Sequence, residues 1–341
     1  MSGVSRVAFR LLLWRVVRAA LIAAPFAAHA AGGAAVTSLE PLAWPDRAIR
    51  LWVPSSPGGG ADVMARILAS RLNARAAVPV VVENRVVGGG AAAVLQLARE
   101  PADGLTLMVT FETFVLNPIV FRQQTYDPLH DYSLITMLSR YELLLLAPAS
   151  RRIGSLSSLV ERARQVPGGV NFASPGPGGP ARFAFEALKL AAGIAGTPVH
   201  YRGIAPALQG LLGGELDAGF AQANSVVTAN VRSGRLVVLA SGGARRSAQF
   251  PAVPTLAETW PGLEARAWAG LIGPSGMPPA LIGRIAEVVR DVMDSASVRE
   301  QLHDQGGELV LGSPGAFAAV VAADLRQWTR VVRDAAITMD P

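Results

Sequence analysis

The chain has 341 residues, 51% hydrophobic and 16% charged, with no cysteine and a single lysine, Lys189. A chain so rich in apolar residues builds packed cores rather than a disordered tail, and its length suits two domains of ~150 residues. The lack of cysteine excludes thiol catalysis, disulfide frameworks and thiolate zinc sites.

Residues 1–30 carry Arg6, Arg10, Arg15 and Arg18 and no acid, then an apolar run from Ala19 to Ala27, then Ala28-His29-Ala30. A positive start, a short apolar core and an A-x-A ending make a secretory signal peptide. The bland alternative is an amphipathic helix of the fold. The apolar run is too short to span a ~30 Å hydrocarbon core, and arginines within the early apolar stretch oppose a membrane helix. No run of ~18 uninterrupted apolar residues follows residue 40. The net charge of +6 is mostly a leader effect, since the rest of the chain has 27 basic and 25 acidic residues. No basic cluster interleaved with aromatics appears there, so nucleic acid is not an expected partner.

Residues 31–43 read as a flexible mature N-terminus. Ile49–Val53 reads as a strand, stopped by Pro54-Ser55-Ser56-Pro57-Gly58-Gly59-Gly60. Val63, Met64, Ile67, Leu68 and Leu72 then recur at helical spacing. Val78–Val82 is a second strand, Gly88-Gly89-Gly90 opens a second helix, and Leu105–Val109 is a third strand. Strand, glycine turn, helix, strand is the pattern of parallel α/β sheets.

The pattern returns after residue 140. Leu143–Pro148 reads as a buried strand, and Ser155 caps a helix running to Gln165. Val170–Ala173 is a strand leading into Ser174-Pro175-Gly176-Pro177-Gly178-Gly179-Pro180 and a helix over Ala181–Ala192. Strands at Val199–Tyr201, Leu216–Phe220 and Leu236–Ala240 flank a helix over Ala205–Leu212. Pro278 and Pro279 start a helix with Leu281, Ile282, Ile285, Val288, Val289 and Val292 on one stripe. Ser313-Pro314 starts the last helix. No internal repeat is visible. Each half therefore has a glycine-rich turn between a strand and a helix, which gathers backbone N–H groups where an anion is attracted.

Other chemistries lack their motifs. Gly58-Gly59-Gly60-Ala61-Asp62-Val63 is not G-x-G-x-x-G, the only lysine follows Leu188 and makes no P-loop, and Gly273-Pro274-Ser275-Gly276 is not a nucleophile elbow. His29, His130, His200 and His303 are isolated in sequence, so no metal site is expected. Glu83, Glu112, Glu186 and Asp217 could pair as carboxylates only through the fold, and each also suits a capping, loop or salt-bridge role.

The run from Pro54 to Asp62, followed by Ala65-Arg66, resembles the first-loop motif of the solute-binding proteins of tripartite tricarboxylate transporters, the Bug or TctC family. The segment from Val81 to Gly90 is similar to its V-E-N-R-x-G-x-G-G element, and Pro101–Leu107 to P-D-G-Y-T-L with Leu for Tyr. Tyr126-Asp127-Pro128 with Asp131-Tyr132, Asn171 to Gly178, Tyr201–Ala207, Val253–Glu258 and Trp268–Leu271 resemble later blocks. The likeness runs in the family's order over about 44–335.

The resemblance implies an α/β, two-lobed periplasmic binding protein (type II-like) with two crossover segments, near 146 and 265. Lobe one is then 44–146 plus 266–341, and lobe two is 147–265. It implies a cofactor-free, periplasmic, monomeric carrier, not an enzyme, that takes a small organic acid and hands it to membrane permease subunits. The family's first-loop contacts fall on Ser56, Pro57, Gly58, Gly59 and Ala61, and its second-lobe contacts on Ser174, Gly178, Gly179, Gly203, Ile204 and Ala205. The glycines also suit tight turns, and Ser174 a helix cap. The chain departs from the family at Gly179, where Ser or Thr is common; at Arg182, where His is common; at Ala221, often an acid; and at Phe111 and Glu112, usually small polar residues. Arg182 for His and the lost acid favour a more anionic ligand, unless Arg182 lies on an exposed helix face. Glu112 opposes such a ligand if it faces the cleft, or accepts an amino or hydroxyl group. A ligand reporter to a sensor protein and an exported hydrolase are the alternatives, and nothing repeats as a structural or adhesive protein would.

Overall fold

The computed structural model describes residues 47–75, 78–86, 90–121, 125–176 and 178–337. The expected leader over 1–30, the expected N-terminal segment 31–43, and Gly88 and Gly89 lie outside them.

Ten strands form one continuous curled sheet with two halves. In the first half the order is β2 (Val80–Asn84), β1 (Ile49–Val53), β3 (Thr106–Phe111), β9 (Arg266–Pro274), β4 (Tyr132–Pro148) and β10 (Gly307–Leu309). The strands β2, β1 and β3 are parallel, and β9 returns antiparallel between β3 and β4. In the second half β6 (Gly196–His200), β5 (Val170–Ser174) and β7 (Ala218–Gln222) are parallel, and β7 and β8 (Leu236–Ser241) pair β4 from opposite sides. The 17-residue β4 belongs to both halves: Tyr132–Glu142 pairs β9, and Leu143–Pro148 pairs β7 and β8. The architecture is a two-lobed α/β fold.

The helices are α1 (Gly60–Asn73), α2 (Ala91–Leu97), α3 (Thr113–Val120), α4 (Leu156–Gln165), α5 (Pro180–Ala192), α6 (Ile204–Leu212), α7 (Ser225–Arg232), α8 (Leu256–Thr259), α9 (Pro279–Met293), α10 (Ala296–Asp304) and α11 (Pro314–Asp334). In α1 the buried side chains Ala61, Met64, Ala65, Leu68 and Leu72 form one face, as the periodicity requires. In α5 the ring of Phe185 stacks on Phe172 of β5 at 3.9 Å. The last helix serves both lobes. Its Phe317 packs edge-on against Trp268 of β9 at 5.1 Å, and its Trp328 packs against Phe183 of α5 at 6.0 Å.

The structure extends or adds elements that local pattern does not mark. The expected strand at 143–148 begins eleven residues earlier, at Tyr132. From Tyr132 to Ser139 both faces are buried, so the alternation that marks a half-exposed strand is missing. The helix α3 contains Pro118, which breaks the sequence signal for a helix. The strand β9 is likewise buried on both faces.

Candidate ligand-binding site

In both halves the glycine-rich turns leave the C-terminal ends of parallel strands, which is where open α/β sheets place their binding crevices. In the first half the chain leaves β1 at Val53, turns through Pro54–Gly59 and enters α1. Asp62, in the first turn of α1, fixes this loop. One carboxylate oxygen accepts the N–H of Gly58 at 2.9 Å and the guanidinium of Arg66 at 2.8 Å. The other accepts the amide of Asn84 at 2.9 Å, and that amide also donates to the carbonyl of Ser55 at 3.0 Å. Asp62 is buried, yet the Arg66 hydrogen bond, helped by those from Gly58 and Asn84, holds its pKa down at about 2. Behind the loop, Gly90 sits at φ +89, and a Cβ there would lie 2.0 Å from the carbonyl oxygen of Pro54.

With the loop held from behind, Ser56, Pro57 and Gly58 are exposed and Gly59 is half-buried. Ala61 is buried. Gly59 caps α1 without a side-chain hydrogen bond. The first turn therefore keeps its orphan N–H groups for another acceptor.

In the second half, Ser174 ends β5 fully buried. Its hydroxyl donates to the carbonyl of Gly176 at 2.8 Å and lies 2.9 Å from Nδ1 of His200. Ser174 shapes the turn from beneath. The N–H groups of Tyr201 and Gly203 bond the carbonyls of Ser174 and Pro175 at 2.8 and 2.9 Å, which ties the turn before α5 to the turn before α6. Gly203 is at φ +120, a conformation L side chains rarely adopt. Gly179 caps α5 and Gly203 caps α6, both without a side-chain bond. By contrast α4, α7, α8, α10 and α11 are capped by Ser155, Asn224, Thr255, Ser295 and Ser313.

A cavity of about 150 Å³ opens at these turns. Gly176 and Gly179 line it from the loop, Ala181 from α5, Ile204 from α6, Phe220, Ala221 and Gln222 from β7, and Leu143 from β4. Of the residues expected from sequence, Gly179 and Ile204 line it. Gly178 and Ala205 lie beside lining residues, and Ala205 is exposed.

Two expected side chains are placed elsewhere. Glu112 is 2% exposed, and its carboxylate accepts the N–H of Trp268 at 3.0 Å. Burial pushes its pKa up to about 8. It turns inward, so it does not meet the condition of facing a cleft. Arg182 is half-buried near Glu186 and His200, and it is not among the residues that line the cavity. Burial and the Arg182 charge lower the His200 pKa. The expectation that Arg182 draws a more anionic guest therefore meets a carboxylate already beside the guanidinium.

An aromatic pair, one partner of which sequence reasoning did not identify, lies beside the loop of the first half. A Cβ on Gly60 would lie 3.0 Å from the ring of Phe111, and that ring is 5.8 Å from the ring of Tyr141. Tyr141 and Leu143 stand two apart on β4 and so point to one face. Among the described residues no three His, Asp or Glu side chains are grouped as metal ligands.

Residues 64–337 match the family described as the tripartite tricarboxylate transporter family receptor, TctC. The chain belongs to this family. The protein BugT of Bordetella pertussis is 33% identical over 89% of this chain and 93% of its own length. A TctC-like fold is shared with a Rhodopseudomonas palustris protein solved with adipate, 29% identical, with a TM-score of 0.75 over 86% of this chain and 99% of that one. The same organism's MatC, solved with bound malate, is 27% identical, with a TM-score of 0.72 over 85% of this chain and all of MatC. No helix among the described residues is long and apolar enough to cross a membrane.

Proposed function

We propose that this TctC receptor captures a small organic carboxylate in the periplasm, after export by the leader over 1–30, and passes it as a monomer to membrane permease subunits. Its lobes, 44–146 plus 266–341 and 147–265, close over the ligand. Backbone N–H groups at Ala61 from one lobe and at Ile204 and Ala205 from the other receive the carboxylate, with Ser56, Pro57, Gly58, Gly59 and Gly179 forming the turns around it. Ser174, Gly178, Gly203 and Arg182 shape or flank the second-lobe turns.

The observation that carries this reading is the set of glycine-capped helix starts. Five of the described helices satisfy their first turn with a Ser, Thr or Asn side chain. The helices α1, α5 and α6, like α2, α3 and α9, do not, and of these six α1, α5 and α6 follow the turns at 54–59, 175–179 and 201–203. All three starts lie at strand C-terminal ends. Such N-termini carry partial positive charge and unpaired donors. The two relatives solved with adipate and malate support the choice of a carboxylate. Micromolar binding corresponds to about −8 kcal/mol. A few charge-assisted bonds of ~1.5–3 kcal/mol each supply this after ordering costs.

Thermal unfolding of the exported chain with a panel of mono-, di- and tricarboxylates and amino acids tests the proposal. A ligand at about 100 times its Kd stabilises the fold by ~2.7 kcal/mol. A panel with no member that raises Tm refutes it.

A further inference from the structure

The cavity differs in kind from a site for a short polyacid. Among the described residues that line it, none is charged. Leu143, Phe220, Ile204 and Ala221 give it apolar walls, and Gln222 and Asn224 supply polar side chains. The two cations nearest in sequence are not among the lining residues: Arg182 lies near Glu186 and His200, and Arg202 is exposed ahead of the α6 cap. The loop of the first lobe adds no cation either, since Arg66 is held by Asp62 and Asn84. A second carboxylate entering this space would lose its water and gain no counter-charge.

The size is equally selective. The volume of about 150 Å³ matches that of an apolar protein cavity that takes up benzene. In the first lobe the half-buried ring of Phe111 lies 5.8 Å from the buried ring of Tyr141. Such rings favour another ring in offset or edge-on contact.

We infer that the ligand is a monocarboxylate with a ring-sized, uncharged apolar body, a benzoate-like acid, and not a short di- or tricarboxylate. The carboxylate sits on the glycine-capped helix starts and the ring enters the cavity between Leu143, Ile204 and Phe220. This rests on the carboxylate reading above and narrows it.

Isothermal titration calorimetry of the exported chain with benzoate, benzamide, succinate, malate and citrate decides the matter. Benzoate is expected to bind at least tenfold more tightly than succinate, malate or citrate, and at least tenfold more tightly than neutral benzamide. Succinate, malate or citrate binding as tightly as benzoate overturns the ring-sized monocarboxylate and leaves the carboxylate reading standing. Benzamide matching benzoate overturns the carboxylate reading itself. Silence from the whole panel overturns both. Ala221→Arg, which adds a cation to the wall, is expected to shift the succinate-to-benzoate affinity ratio at least tenfold toward succinate. An unchanged ratio in a folded variant removes Ala221 from the wall and overturns the placement.

Discussion

The carboxylate of Asp62 accepts the backbone N–H of Gly58 at 2.9 Å, so the first turn of α1 holds the loop that leads into it. The same oxygen takes Arg66 at 2.8 Å.

Asp62→Asn keeps an acceptor for Gly58 but discards the charge that Arg66 faces. The folded-state pKa of Asp62 is depressed to about 2, against an unfolded value of about 3.9. A depressed carboxylate contributes stability above its unfolded pKa and loses it as pH falls through the folded one. The charge accordingly contributes about 2 kcal/mol at pH 7. Urea unfolding should show Asp62→Asn weaker by roughly that amount at neutral pH, with the gap closing between about pH 4 and pH 2. A gap independent of pH means that Asp62 acts by shape alone.

Glu112 gives the opposite sign. Its pKa is raised by burial to about 8, so the folded state holds a proton that the unfolded state releases above about pH 4.3. Stability therefore falls as pH rises between these values. Glu112→Gln keeps an acceptor for the N–H of Trp268 without a proton to lose. Its stability relative to wild type should rise with pH from about 5 to 8 by up to ~1.4 kcal/mol per pH unit. Parallel stability curves for the two proteins would show that Glu112 ionises alike in the folded and unfolded states, without a raised pKa.

What local pattern made legible was the succession of strand, glycine turn and helix. The buried faces of α1 and α5 repeat at helical spacing, and Ser155 caps α4 as its position implies. The turns at 54–60 and 174–180 also stood out, because glycine and proline punctuate a chain wherever they occur. Less legible were features made by distant partners. Asp62 reads as a motif letter, yet its role depends on Asn84, which β2 brings beside α1. Glu112 looks like a cleft residue in a strand-to-helix turn until β9 covers it. Phe111 and Tyr141 meet only because β9 separates β3 from β4 by a single strand. The cavity wall from Phe220 to Gln222 comes from a strand whose end, not its pattern, determines what it faces.

Gly90 backs the first loop without contributing a side chain to it. With φ at +89 and a Cβ position 2.0 Å from the carbonyl oxygen of Pro54, Gly90→Ala combines a left-handed strain with a backbone clash. The strain alone is worth about 1–2 kcal/mol, and the clash must displace Pro54 and the loop that follows. Chemical denaturation should show a loss of at least that size. Gly58→Ala is the comparison, because Gly58 has φ +81 but open space around its Cβ. It should cost only the strain, and equal losses for the two variants would dismiss the contact with Pro54.

Ile204 separates backbone from side chain in the second lobe. It is the first residue of α6 and 56% exposed, and Gly203 before it has ψ 175. Proline is favoured at the first helical position, and an extended residue before it accommodates the ring. Ile204→Pro therefore removes one N–H from the helix start while α6 is retained. Ile204→Ala keeps the N–H and removes only apolar wall. If the carboxylate uses that N–H, Ile204→Pro should weaken binding by about 1.5–3 kcal/mol, roughly 10- to 100-fold, the size of one charge-assisted bond. Ile204→Ala should weaken benzoate while sparing acetate, which has no ring to pack. Calorimetry on both variants checks this, with unfolding curves confirming that each is folded. A folded Ile204→Pro that binds both acids like wild type would remove the Ile204 N–H from the carboxylate's partners.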